Sequence, residues 1–167
     1  MELHLDRPLK LAVTLGDPAG IGPEVILKAV VDPVEAASVT IIGSRTVLQQ
    51  TYDRLRSLSP DSALANPETL NIIDVEPDSK WGEIIPGVGN AASGAASFAY
   101  MENAISRTLA GEFSAIVTGP ISKTCWQAAG YDYPGQTELL AVRANSKRFG
   151  MLFAAKSPHS GWTLITL

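Results

Sequence analysis

Residues 16–24 read Gly-Asp-Pro-Ala-Gly-Ile-Gly-Pro-Glu, just after the apolar run Leu11-Ala12-Val13. Three glycines and two prolines fall in nine positions, between a short apolar run and a helical pattern. Glycine permits positive φ and close approach to the backbone, and proline fixes φ. Such a string constrains the chain to a strand, a loop of defined shape and then a helix. The spacing of Gly16, Gly20 and Gly22 is not the dinucleotide fingerprint, and no phosphate-loop Lys-Ser/Thr ending follows. Spacing alone leaves open a generic strand-to-helix turn and a ligand-facing loop.

The rest of the chain repeats the strand-helix alternation. Short apolar runs at 9–15, 38–43, 70–75 and 114–118 read as strands. Helices are expected at 23–31, with Pro23 in the first turn, and from the cap Ser44 to about 58. The clearest helix is 91–110, where Phe98, Met101, Ile105 and Leu109 recur at helical spacing and Gly111 stops it. Small residues at 91–96 allow close packing at its start. Segment 59–69 reads as a loop, and 76–90 as an excursion over the surface. Short helices follow at 121–129, closed by Gly130, and at 137–145. Two last strands, 149–155 and 163–167, are joined by a hairpin through 158–161. The pattern predicts an open α/β sheet, mostly parallel, with helices on both faces and right-handed crossovers. Ligands of such sheets bind beyond the carboxyl ends of the strands.

Apolar residues make up 46% and charged residues 18%, enough for a proper core and too apolar for disorder. The formal net charge of −4 argues against nucleic acid and anionic membranes as partners. Trp81, Trp126, Tyr131 and Tyr133 show no stacking pattern with basic residues. No apolar run is long enough to span a bilayer, and the first ten residues lack a signal-peptide core. Cys125 is the single cysteine, so no internal disulfide forms; it reads as a buried thiol rather than a nucleophile. The cytoplasm is the expected compartment.

A second block, residues 117–141, reads VTGPISKTCWQAAGYDYPGQTELLA. Together with GDPAGIGPE it resembles the 4-hydroxythreonine-4-phosphate dehydrogenase family of pyridoxal phosphate synthesis, over the span from about Leu9 to the last residue. The resemblance implies an isocitrate/isopropylmalate dehydrogenase-like fold with two lobes and an active site in the cleft. Chains of that family are about twice as long, and this chain stops within an apolar β run. Residues 1–167 are therefore expected to form a single α/β lobe, the truncated N-terminal part of a longer two-lobed enzyme. The implied activity is NAD- or NADP-dependent oxidation of 4-phosphooxy-L-threonine, followed by decarboxylation. It requires a divalent metal such as zinc, magnesium or cobalt, in a homodimer whose subunits share the site.

The family's three metal-binding histidines lie beyond residue 167, as does most of the nucleotide site. His4 and His159 match none of them, so no tightly held metal or cofactor is expected on this chain. What the resemblance carries over is a substrate-binding corner. The family's Gly-His-Thr-Glu turn holds substrate through its His and Thr; here Gln136 and Thr137 stand at those positions. Gln136 keeps a donor and an acceptor but cannot become cationic. Either it positions substrate only, or the substrate differs, or it merely caps the following helix. Asp17 either orients a catalytic group or stabilises its own turn. Glu24 and Glu138 suit first-turn helix positions. Lys123, with Thr118 beside the Gly119-Pro120 pair, either faces an anion or is a solvated surface lysine. No catalytic residue is assigned. The alternatives are a sister dehydrogenase for another phosphorylated hydroxy acid or a dihydrodiol acid, and a non-catalytic remnant that only folds or binds.

Overall fold

Four short strands, β1 (Leu9–Thr14), β2 (Ala37–Gly43), β3 (Ile72–Asp74) and β4 (Ala115–Thr118), form one parallel sheet in the order β3-β2-β1-β4. The computed structural model describes residues 9–32, 37–76, 82–157 and 161–166. They belong to two compact units, Met1–Pro134 and Gly135–Leu167.

In the first unit, Leu11 of β1 is registered against Val39 on one side and Ala115 on the other. The chain steps outward from β1 to β2 to β3, then returns across the sheet to place β4 on the far side of β1. This reversal is the topological switch point of the sheet. Right-handed crossovers put the helices α1 (Gly22–Ala29) and α2 (Arg45–Leu58) on one face and α3 (Ala91–Leu109) on the other. Helices α1 and α2 pack together, and α3 packs on β1, β2 and β4. The core joins Ala12, Leu15, Ile41 and Ile42 of the sheet region to Leu27, Leu48 and Tyr100 of the helices. Of the α3 positions that periodicity singles out, Met101 and Ile105 are buried, whereas Leu109 is 60% exposed and Tyr100, not among them, takes a core place.

Local chemistry sets the boundaries. Ser44 accepts from the Val47 N–H and starts α2. Asn90 and Ser93 form a reciprocal capping box at α3. The third strand is shorter than the expected 70–75. A 3-10 turn at Pro67–Thr69, opened by the Asn66 side chain accepting from the Glu68 N–H, binds the Leu70 N–H to the Pro67 carbonyl and removes Leu70 from the ladder. Helix α1 also stops short of the expected Val31. Helix α4 (Lys123–Ala128) starts later than the expected Ile121, because the Ser122 hydroxyl caps it by accepting from the Cys125 N–H.

The small residues at the start of α3 serve close packing against α4. A Cβ on Gly94 would run into the Cys125 carbonyl oxygen. Trp126 of α4 is fully buried and donates its indole N–H to the Ser97 hydroxyl at 2.7 Å.

The second unit holds α5 (Gln136–Arg143) and an antiparallel hairpin of β5 (Leu152–Ser157) and β6 (Gly161–Thr166). Pairing is of the kind expected, with β5 displaced by two or three residues along the chain and β6 starting two residues before the expected Thr163. The turn at 158–160 lies outside the described residues. Leu152 and Phe153, adjacent on β5, are 56% and 53% exposed. Successive strand residues face opposite sides, so both faces of this hairpin carry uncovered apolar surface.

Gly94→Ala forces backbone to move rather than a flexible side-chain end. Overpacking of this kind costs about 1–3 kcal/mol. A thermal or urea melt of the variant should show that loss, whereas Gly111→Ala, with open space around the added methyl, should lose only the cost of its positive φ.

Candidate functional site

Two loops that the sequence singles out meet at the switch point. The loop after β1 begins at Gly16, whose φ is +73°. A Cβ there would also strike the Pro120 carbonyl oxygen. The loop after β4 begins at Gly119, where a Cβ would lie 2.6 Å from the Thr14 carbonyl oxygen. Both close approaches are locked by hydrogen bonds. The Asp17 N–H donates to the Pro120 carbonyl at 2.8 Å, and the Gly119 N–H donates to the Thr14 carbonyl at 3.0 Å. The buried Thr14 hydroxyl lies 3.2 Å from the same Gly119 N–H. Gly16 and Gly119 thus meet at the carboxyl edge of adjacent strands.

Asp17 is buried, and its carboxylate accepts from the Ala19 N–H at 2.9 Å. Its carbonyl accepts from the Gly20 N–H at 3.0 Å. These bonds are the turn-stabilising role open to it from sequence. Glu24, in the first turn of α1, pairs with Lys28 one turn on at 2.6 Å. Asp17 and Glu24 line an open cleft of about 420 Å³ with Ile21, Arg54, Gly89 and Ser122. Sequence reasoning passed over Arg54, which reads as an ordinary solvent-face residue of α2. It also passed over the turn at 84–89, which the Gly87 N–H fastens to the Ala19 carbonyl at 2.7 Å. No local pattern marks either, since both reach the cleft only through the packing of distant segments.

Lys123 is exposed at the start of α4, and Thr118 is exposed at the end of β4. Cys125 is buried and free, so its thiol is inaccessible. Tyr131 stacks on Phe98 with ring centroids 3.7 Å apart, and Trp126 meets the same ring edge-on at 5.2 Å. These aromatics are packing residues; Trp81 lies outside the described residues.

In the second unit, Gly135 occupies the N-cap of α5 with an extended backbone. Gln136 is therefore the first helical residue and not the cap, and Thr137 is the second. Both are half-buried. Glu138 completes an acidic first turn. Thr137 stands on a cleft of about 350 Å³ with Leu140, Ala141, Ala144, Phe149 and Met151. Residues 137, 140, 141 and 144 recur at helical spacing, so one face of α5 forms the wall and Thr137 is its polar end. Gln136 is not on that wall. Among the described residues no group of three or more His, Cys, Asp or Glu is placed to hold a metal ion. His4 and His159 lie outside them, and no metal chemistry is assigned to the described part of the chain. No described helix is long and apolar enough to cross a membrane.

Tyr100 lies fully buried beneath the carboxyl edge. Burial raises the pKa of its hydroxyl far above 10.0, and the charges of Glu76, Asp74 and Asp17 add to the rise. The hydroxyl rests against the Ser44 backbone without a hydrogen bond of full geometry.

An open parallel sheet whose signature loops meet at its switch point defines an α/β lobe of the doubly wound class. Residues 35–163 match the family model described as pyridoxal phosphate biosynthetic protein PdxA. The chain belongs to that family. It is 57% identical, over 95% of its length, to the 4-hydroxythreonine-4-phosphate dehydrogenase of Synechocystis, and 56% identical over 96% to that of Nostoc. It covers 46% and 45% of those two proteins, so the chain spans about half the length of the curated relatives it matches. A D-threonate 4-phosphate dehydrogenase of Pectobacterium atrosepticum is 36% identical over 85% of the chain and is covered to 46%. The crystal structure of 4-hydroxythreonine-4-phosphate dehydrogenase from Klebsiella pneumoniae superposes with a TM-score of 0.72 at 31% identity, over 89% of this chain and 48% of that one.

The raised Tyr100 pKa has a definite sign. Above pH 10 the unfolded chain loses the tyrosine proton while the folded chain keeps it. The unfolded state then binds fewer protons, and stability falls as pH rises. Below pH 10 the contribution is complete. Tyr100→Phe should flatten the alkaline fall in urea titrations between pH 9 and 11, and change stability at pH 7 by no more than about 1 kcal/mol. An unchanged alkaline fall would place its origin elsewhere.

Proposed function

We propose that this chain is the first half of an NAD- or NADP-dependent dehydrogenase that oxidises 4-phosphooxy-L-threonine, the substrate in the names of its cyanobacterial relatives. The observation that carries the reading is 57% identity to the Synechocystis enzyme over 95% of this chain. In the overall reaction the 3-hydroxyl gives up its proton and its carbon gives up a hydride to the nicotinamide. The resulting 3-oxo acid loses carbon dioxide. A divalent metal, when bound, would polarise the reacting oxygen. The whole protein works as a cytoplasmic homodimer, and residues 1–167 serve as one α/β lobe of it.

The role of this chain is to bind and orient. Thr137 donates its hydroxyl to an anionic oxygen of the substrate, and Gln136 contributes an amide donor beside it. Both stand in the first turn of α5, where the helix dipole favours negative charge. Gln136 contacts substrate as a neutral group and takes no part in proton transfer. Asp17 shapes the loop after β1.

A second reading is favoured by one observation, the glutamine at a position where the family motif has histidine. It is a sister dehydrogenase for another phosphorylated hydroxy acid, such as the D-threonate 4-phosphate of the Pectobacterium relative's name.

The test joins this chain to the remaining half of the Synechocystis relative and follows nicotinamide reduction with each substrate. Turnover of 4-phosphooxy-L-threonine is expected from the joined protein and none from residues 1–167 alone. A charge-assisted hydrogen bond is worth about 1.5–3 kcal/mol. Thr137→Val should therefore lower kcat/KM by roughly tenfold to a hundredfold, at about 1.36 kcal/mol per decade, with the melting temperature little changed. Preference for D-threonate 4-phosphate would favour the second reading. Unchanged kinetics in both Thr137→Val and Gln136→Ala would remove this corner from the site.

A further inference from the structure

Helix α2 turns one face toward the loop after β1. Val47, Gln50, Thr51 and Arg54 recur at helical spacing and line a small pocket of about 50 Å³ with Pro18 and Gly20. Arg54 ends that face and also lines the neighbouring cleft of about 420 Å³, which Asp17, Glu24 and Ser122 border. The other described arginines of the first unit have partners. Arg45 donates to the Pro67 carbonyl at 3.0 Å, and Arg56 donates to the Pro60 and Ser62 carbonyls at 2.8 Å. Arg107 pairs with Glu112 at 2.9 Å. Among the described residues the Arg54 guanidinium has neither a hydrogen bond nor an ion pair. Two carboxylates border the same cleft, but each is engaged elsewhere. Asp17 accepts from the Ala19 N–H, and Glu24 accepts from the Lys28 ammonium.

A guanidinium is a planar fork of donors that matches the oxygens of a phosphate. Arg54 presents that fork beside the loop that follows β1, beyond the carboxyl ends of the strands, where ligands of such sheets bind. Asp17 offsets its charge, so the cleft does not draw in small anions by net charge. A ligand suited to both groups carries an anionic end for Arg54 and hydroxyl donors for the free carboxylate oxygens. The volume is that of a small-molecule site.

We infer that this cleft binds a phosphate ester of a hydroxylated small molecule, with Arg54 holding the phosphate. The inference deepens the dehydrogenase reading and rests on it for its two candidate ligands. The nicotinamide dinucleotide and the phosphorylated hydroxy acid both carry a phosphate ester together with hydroxyls.

Residues 1–167 are titrated by calorimetry with NAD, NADP and 4-phosphooxy-L-threonine, and with inorganic phosphate as a probe of charge alone. At least one ester should bind, and more tightly than inorganic phosphate. Amide exchange in that complex should slow at 19–22 and 87–89. Arg54→Gln should weaken the ester by about tenfold to a hundredfold, the worth of a charge-assisted hydrogen bond. Arg54→Lys keeps the charge without the fork and should fall between the two. Arg148→Gln, at an exposed arginine of the second unit, is the control and should bind as wild type. Loss confined to NAD or NADP assigns the phosphate to the dinucleotide, and loss for 4-phosphooxy-L-threonine assigns it to the substrate; either supports the proposal. Circular dichroism checks each fold. If Arg54→Gln does not fold, the exchange pattern of the wild-type complex decides.

Equal binding by the wild type and Arg54→Gln would overturn the proposal. So would absence of binding to every ester, inorganic phosphate bound as tightly as the esters, or no slowing at 19–22 and 87–89. Binding as expected, in a chain whose joined form reduces no nicotinamide, would count against the dehydrogenase reading and leave the Arg54 assignment standing. Turnover by the joined form, with Arg54→Gln binding as wild type, would remove Arg54 alone.

Discussion

A backbone hydrogen bond from the Asp17 N–H to the Pro120 carbonyl joins two loops that lie far apart in sequence. Much of the first unit is arranged around this junction. It requires β4 to lie directly beside β1, and β4 can reach that place only if α3 carries the chain back over the sheet. The approach is so close that neither Gly16 nor Gly119 has room for a side chain. The motif glycines are thus not loose hinges. They are the points at which two backbones come near enough to exchange hydrogen bonds directly.

The return path depends on a second close contact. Helix α3 lies near enough to α4 that Gly94 abuts the Cys125 carbonyl, while Trp126 fills the remaining space and anchors to Ser97. Rigid packing there fixes the end of the loop that starts at Gly119. The carboxyl edge therefore has a stiff frame on both sides of the switch point, made by backbone contact and one buried indole. A preorganised frame of this kind lets a site hold its geometry without help from the ligand.

Strand and helix alternation was legible because apolar periodicity survives tertiary folding. Caps were legible at Ser44 and missed at Ser122, where the preceding Ile121 reads as helical by pattern. The third strand was read too long, because a 3-10 turn nucleated by Asn66 and Pro67 is a local competition that hydrophobicity does not register. The first signature loop stood out by its glycine and proline density, and the second by its resemblance to the family's motif. Arg54 and the turn at 84–89 were not found. Each is unremarkable in its own segment and reaches the cleft at Gly20 only through the packing of α2 and a long excursion. Gln136 was weighed as a helix cap; the extended Gly135 takes that place, and a single φ angle is beyond what residue type decides.

The sequence by itself determined the class of sheet, the order of its elements and the family, since these follow from periodicity and from two dense motifs. Only the tertiary structure decided which strands are neighbours and therefore which loops touch. Strand adjacency in a parallel sheet is set by long crossovers whose endpoints leave no local trace. It likewise decided that the Asp17 carboxylate accepts from its own turn and that Thr137 stands at the polar end of an apolar wall. Each of these is a relation between residues rather than a property of any one, and relations exist only once the chain has folded.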